Sequence, residues 1–193
     1  MEPTAFADRW KSYLARTDLE AKFDIVTLPS PDNRISKTSS QFLSEIGMPN
    51  AAGFYFEDLV KGLRKIYDVY SPGDYWNDSD RKRLDAYLMF GSDDGGNPLC
   101  LDLVNHERVV FLNHERHFAV AEFVNSHVSQ LAECILVFQE MVEAYQNEHG
   151  EDAELYEGNV PTSLVEQALS DIGHIDPLAV GENCYWPMAM DYI

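Results

Sequence analysis

The chain has 193 residues, 45% hydrophobic and 24% charged, the balance of a folded protein long enough to close one hydrophobic core. Its net charge of −19 makes direct binding of nucleic acid or of an anionic membrane unfavourable and favours basic partners. No apolar run approaches the roughly 20 residues of a membrane span, and three cysteines without a C-x-x-C pair point to buried free thiols rather than a disulfide framework.

The charge is unevenly placed. All 14 Lys and Arg lie at or before Arg116, whereas residues 117–193 carry 14 Asp and Glu and no Lys or Arg. Two readings stay open: attraction of a basic partner, or acidity that only keeps the chain soluble. The N-terminus, MEPTAFADRW, lacks the basic-then-apolar order of a signal peptide. The expectation is a soluble cytoplasmic protein forming a single domain over residues 1–193.

In chain order, Thr4 can cap a helix over about 4–17 that places Phe6, Trp10, Tyr13 and Leu14 on one stripe. Lys22–Leu28 alternates like a short strand and ends at the turn residues 29–33. Ser36 or Thr38 opens a short helix with Phe42, Leu43 and Ile46 inward, stopped by Gly47 and Pro49. Gly53–Glu57 and Ile66–Tyr70 are aromatic, β-prone runs, and the residues between them suit a helical turn or a bent strand. Residues 71–80 form a loop that presents Tyr75 and Trp76.

The centre of the chain is a meander. Ala86–Phe90, Pro98–Leu103 and Arg108–Leu112 read as strands joined by short polar loops. Asn125-Ser126 is a sound N-cap for a long amphipathic helix carrying Val128, Leu131, Ile135, Phe138, Met141, Val142 and Tyr145 at intervals of three and four. Residues 147–159 form an acidic connection. A helical extension over about 160–193 follows, with Thr162 or Ser163 as cap, a turn at Asp176-Pro177 and an apolar terminus packed down on the body. The predicted fold class is therefore α+β, an antiparallel or mixed central sheet with helices packed on it.

Little in the sequence carries catalytic chemistry. The peptide NHER occurs twice, at 105–108 and 113–116, but His114 and His117 stand three apart and do not make H-E-x-x-H. Two turns flanking Val109–Leu112 account for the repetition without a metal. Asp74, Asp78 and Asp80 lack the calcium-loop pattern, and GSDDGG at 91–96 lacks the Lys of a phosphate loop. There is no G-x-S-x-G, and Cys100 and Cys134 lie in apolar runs. No carboxylate stands out as isolated in an apolar setting that would raise its pKa. The expectation is no enzyme, no cofactor and no metal.

Four stretches carry a resemblance. FLSEIGMPN (Phe42–Asn50), the run from Ala86 to Leu112, FVNSHVSQLAECILVF (Phe123–Phe138), and IDPLA (Ile175–Ala179) with Trp186 occur in order over about residues 35–190. In that order they resemble the SUKH superfamily, the Smi/Knr-like immunity proteins of bacterial polymorphic toxin systems. The resemblance implies an α+β SUKH-like fold and a cytoplasmic, non-catalytic protein that binds and neutralises a cognate toxin, often a nuclease or nucleic-acid deaminase. A toxin that grips nucleic acid presents a basic cleft, which an acidic protein can cover. One departure is His127, where the family usually has a small Ser.

The residues expected at a toxin interface are Tyr75 and Trp76 as aromatic anchors, with Asp93, Asp94, Glu148, Glu151, Asp152, Glu154 and Glu157 steering association. A solvated loop is the plain alternative for each. The superfamily also includes regulators, so a non-catalytic regulatory or scaffolding protein binding host proteins is the competing function. Sheet edges and the apolar C-terminus leave a homodimer open.

Overall fold

A computed structural model describes residues 3–17, 25–70, 76–150, 153, 155 and 158–193. The fold is α+β. Its frame is an antiparallel sheet of β3 (Tyr87–Ser92), β4 (Pro98–Asp102), β5 (Arg108–Asn113) and β6 (Ala119–Asn125), ordered β3-β4-β5-β6. β1 (Ile25–Val26) and β2 (Met48–Pro49) form a small second antiparallel sheet. The three expected central strands are present. β6 is a fourth strand that the sequence did not suggest, because AVAEFVN mixes strand-formers with Ala and Glu, which strands disfavour.

Each turn of the meander is closed by its own side chains. After β3, Asp93 accepts from the Asn97 backbone N–H at 2.7 Å and from its side-chain amide at 2.8 Å. The first NHER turns because the Asn105 amide (2.8 Å) and Arg108 Nε (3.1 Å) both donate to the buried Asp102 carboxylate. The second turns because Asn113 Oδ1 accepts from the N–H groups of Glu115 and Arg116. Gly91 is required where β3 passes residues 55–56, since a Cβ there would lie 2.8 Å from both Phe56 and the Tyr55 carbonyl.

The sheet is covered on both faces, and strand alternation decides which side chain goes where. Leu88, Phe90, Leu99, Leu101, Val109 and Phe111 enter the main core, which α5 (Val128–His149) closes. Met89, Cys100, Val110 and Leu112 point the other way, into a second cluster with Ile66, Trp76, Leu84 and Phe118. This second layer corrects two expectations. Ile66–Val69 is a helical turn, α3, because Ile66, Val69 and Tyr70 recur at the helical interval and lie on one cluster. Trp76 is not an exposed anchor: it is only 6% exposed, and its indole N–H donates to the Tyr70 carbonyl at 2.9 Å. The short helix α4 (Asp78–Leu84), capped by Asn77, completes that face.

α1 (Pro3–Thr17) buries Phe6, Trp10 and Tyr13 in the main core; it already includes Pro3, so Thr4 lies within it and is not its cap. Of the strand expected over 22–28, Ile25 and Val26 pair with Pro49 and Met48, and residues 22–24 lie outside the described residues. α2 (Lys37–Gln41) is capped by Ser36, whose Oγ accepts from the Ser39 N–H at 3.2 Å, and it widens into a π turn at Phe42–Ile46. Gly47 ends that turn at φ +86°. In Gly53–Glu57 only Tyr55 bridges to the sheet, opposite Ser92, and a 3-10 turn starts at Glu57. α6 (Thr162–Ile175) starts at Thr162 after Pro161, with no side-chain cap, and packs on α5. α7 (Tyr185–Asp191) folds back so that Trp186 and Met190 join the main core, as the apolar terminus required.

Candidate functional site

The last two of the four stretches that carry the family resemblance meet in the interior. Asn125 and Ser126 leave β6 beside Asp176, the residue after α6, and beside Trp186 on α7. Asp176 is 1% exposed. Its carboxylate accepts from Asn125 Nδ2 (3.1 Å), the Ser126 N–H (2.6 Å), Ser126 Oγ (2.9 Å) and the Leu178 N–H (3.3 Å). Trp186 Nε1 donates to Asn125 Oδ1 at 3.0 Å, and Asn125 Nδ2 also reaches Cys134 Sγ at 3.4 Å.

This network corrects the expected helix cap. The position before α5 is His127, which makes no side-chain cap bond, while Asn125 and Ser126 turn inward. A carboxylate withdrawn from water must be met by several donors, and these two residues supply three of the four. The network holds the fold, and its carboxylate is withdrawn from solvent.

A different acidic arrangement lies at the surface. Asp93 and Asp94 are neighbours with different tasks, since Asp93 is engaged by Asn97 whereas Asp94 is exposed and sits by Tyr55. A hydrogen bond to the Asp94 carboxylate raises the Tyr55 phenol above its ordinary pKa, because ionising the phenol would set two anions side by side. Glu122, on β6, is partly buried; burial chiefly, and then the charge of Asp93, raises its carboxyl above the usual range. This overturns the expectation that no carboxylate sits in an apolar setting. The signal was present, since Glu122 interrupts Ala-Val-Ala and Phe-Val. Burial raises Glu133 in the same way on α5.

Tyr185 ties these groups together. Burial, followed by the charges of Glu122, Asp93 and Asp94, pushes its phenol well above the ordinary value. Its ring is held by Phe54 at 5.0 Å, Phe111 at 5.3 Å and Trp186 at 5.2 Å between centroids. Tyr185 also lines an open groove of about 630 Å³, with Val142, Leu155, Ala189 and Ile193 among its walls. The Ala52-Gly53 turn closes one side. Both residues have positive φ, +58° and +75°, and their small side chains leave the groove unfilled. A Cβ placed on Gly53 would lie 3.9 Å from Asp94 Oδ2, which puts the acidic group at the rim.

Of the residues expected at an interface, Asp93 and Asp94 therefore come together, joined by Tyr55, Glu122 and Tyr185, which the sequence reading did not single out. Glu148 is exposed on the last turn of α5, two residues beyond Gln146 of the groove wall. Tyr75, Glu151, Asp152, Glu154 and Glu157 lie outside the described residues.

Two further grooves share His106 and His127; the larger, about 580 Å³, also has Arg108, Ser126 and Leu178 among its walls. Among the described residues no group of three or more His, Cys, Asp or Glu is placed to hold a metal. His106 and His114 stand at opposite ends of β5, and His114 Nδ1 lies 2.9 Å from Asn97 Oδ1. All three cysteines are free and buried; burial lifts the Cys100 thiol well above its ordinary pKa and Cys134 to about 12, so neither is poised as a thiolate. Among the described residues no helix is long and apolar enough to cross a membrane.

No curated protein and no solved structure matches the chain. The family model described as SUKH-4 immunity protein matches residues 24–192, all of the sheet and of α2 through α7. It takes in the Asp176 network that joins the N-S and I-D-P motifs. The chain belongs to the SUKH-4 immunity protein family.

Proposed function

We propose that this protein is a cytoplasmic immunity protein, acting as one domain, that binds a cognate toxin and blocks it by covering a basic working surface, with no reaction of its own. Family membership supports the immunity role. The observation that carries the electrostatic part is the carboxylate group at the groove rim. Asp94 and Glu122 have no Lys or Arg bridged to them among the described residues, on a chain of net charge −19.

Such a surface raises the encounter rate with a cationic protein and loses that advantage in salt. A toxin that acts on nucleic acid, a nuclease or a nucleobase deaminase, fits because its substrate channel must itself be basic. Coexpression with the toxin encoded beside this chain's gene should restore growth of the intoxicated host. Absence of any neighbouring toxin gene, or failure of rescue by a well-expressed chain, contradicts the proposal.

A further inference from the structure

We propose that the groove between α5, α7 and the Ala52-Gly53 turn is the docking site, and that it takes an amphipathic segment of the toxin. The segment's apolar side enters between Val142, Ala189 and Ile193, and its Lys or Arg reaches the exposed carboxylate of Asp94 beside Gly53. The assignment rests on the reading of the chain as a toxin-binding immunity protein.

Three features select this surface over the other grooves. Its walls are mostly apolar and small, so an incoming side chain removes hydrocarbon from water on both partners. Its floor is rigid, because the Tyr185 ring is fixed by Phe54, Phe111 and Trp186, so little ordering is left for binding to impose. Its rim carries the exposed carboxylate of Asp94, which a Cβ on Gly53 would meet at 3.9 Å, and the charge of Glu122 acts on the Tyr185 floor.

A cation arriving there is attracted by these negative charges, whereas an acidic segment is repelled. Charge complementarity thus specifies a basic amphipathic occupant. The grooves around His106 and His127 lack this pairing: one carries Arg108 and no carboxylate, and in the other Glu107 is already bound by Ser36 and Ser39.

The direct probe is a synthetic amphipathic helix of Leu and Lys, titrated into the full chain with its methyl groups isotopically labelled. The methyl signals of Val142, Ala189 and Ile193 should shift, and the counterpart helix of Leu and Glu should leave them unmoved. Asp94→Lys, on an exposed loop, should weaken the titration about tenfold. Ala189→Arg should weaken it similarly, by filling the groove. Shifts centred on Val128 and Leu178, equal affinity in both variants, or the same shifts produced by raising the protein concentration alone would overturn the assignment.

Growth rescue gives the separate arm. If the unaltered chain rescues and both variants rescue equally well, the groove is not the docking site and the immunity reading stands. If the chain takes the Leu-Lys helix in the groove yet never rescues, the immunity reading fails, and with it the toxin as occupant.

Discussion

Asp176 and Glu122 are both carboxylates withdrawn from water, and the surrounding chain treats them in opposite ways. Asp176 meets four donors drawn from β6, Ser126 and its own turn, so its negative end is fully engaged inside the fold. Glu122 is partly buried, and that burial and the charge of Asp93 push its carboxyl up instead of meeting it with donors. The first arrangement fixes how β6, α5, α6 and α7 come together. The second leaves a carboxyl whose burial and acidic neighbour both disfavour its charge. The stretches that resemble the family at its C-terminal half belong to the first, so the resemblance reports the fold, while under the proposed function specificity would lie in residues such as Tyr55, Glu122 and Tyr185.

Disrupting the interior network should give the largest effects. Trp186→Ala removes a fully buried indole and its bond to Asn125, and should lower stability by about 3–5 kcal/mol in denaturant titration. Asp176→Ala strands Asn125 and Ser126 donors in the interior and should cost about 2–4 kcal/mol on the same assay. A loss below about 0.5 kcal/mol for Asp176→Ala would erase the distinction drawn between the two carboxylates.

The surface group should respond in binding and hardly in stability. Charge reversal at Asp94 should slow toxin association about tenfold at low salt, with the difference shrinking as salt is added, and should leave the melting temperature nearly unchanged. Stopped-flow association over a salt series measures this.

Glu122→Gln should have the smallest effect on the fold, under about 1 kcal/mol, and in the stabilising direction at neutral pH. The folded carboxyl titrates above its ordinary value of 4.5, so its favourable contribution is complete below that value and is lost as pH rises through the folded pKa. The Gln variant should therefore match the parent in acid and exceed it at pH 7 in paired melts. A variant less stable at pH 7 would mean that Glu122 is already satisfied.

The meander was legible because its strands are apolar, short and separated by turn residues, and the long helix because its apolar spacing is regular. β6 escaped because its outer half, Ala119–Ala121, is exposed and leaves no alternating pattern. The second layer escaped because Ile66–Tyr70 and Trp76 carry strand-like or loop-like composition, and only the burial of Met89, Cys100, Val110 and Leu112 on that side draws them in. Asn125-Ser126 has the composition of a helix cap, and sequence spacing gives no sign that Asp176, fifty residues on, will claim both side chains. At the candidate site Asp93 and Asp94 were visible as an acidic turn. Tyr185 was not, since it meets the Phe54 ring only because α7 folds back on the body.

Hydrogen–deuterium exchange on the chain, alone and bound to its cognate toxin, tests the central claim most directly. Protection gained on binding should fall on the 52–55 turn, the 93–94 loop, the outer half of β6 and α7, with the amides around Asp176 equally slow in both states. Protection confined to the His106 and His127 side, with the Tyr185 groove exchanging as fast as before, would contradict the account.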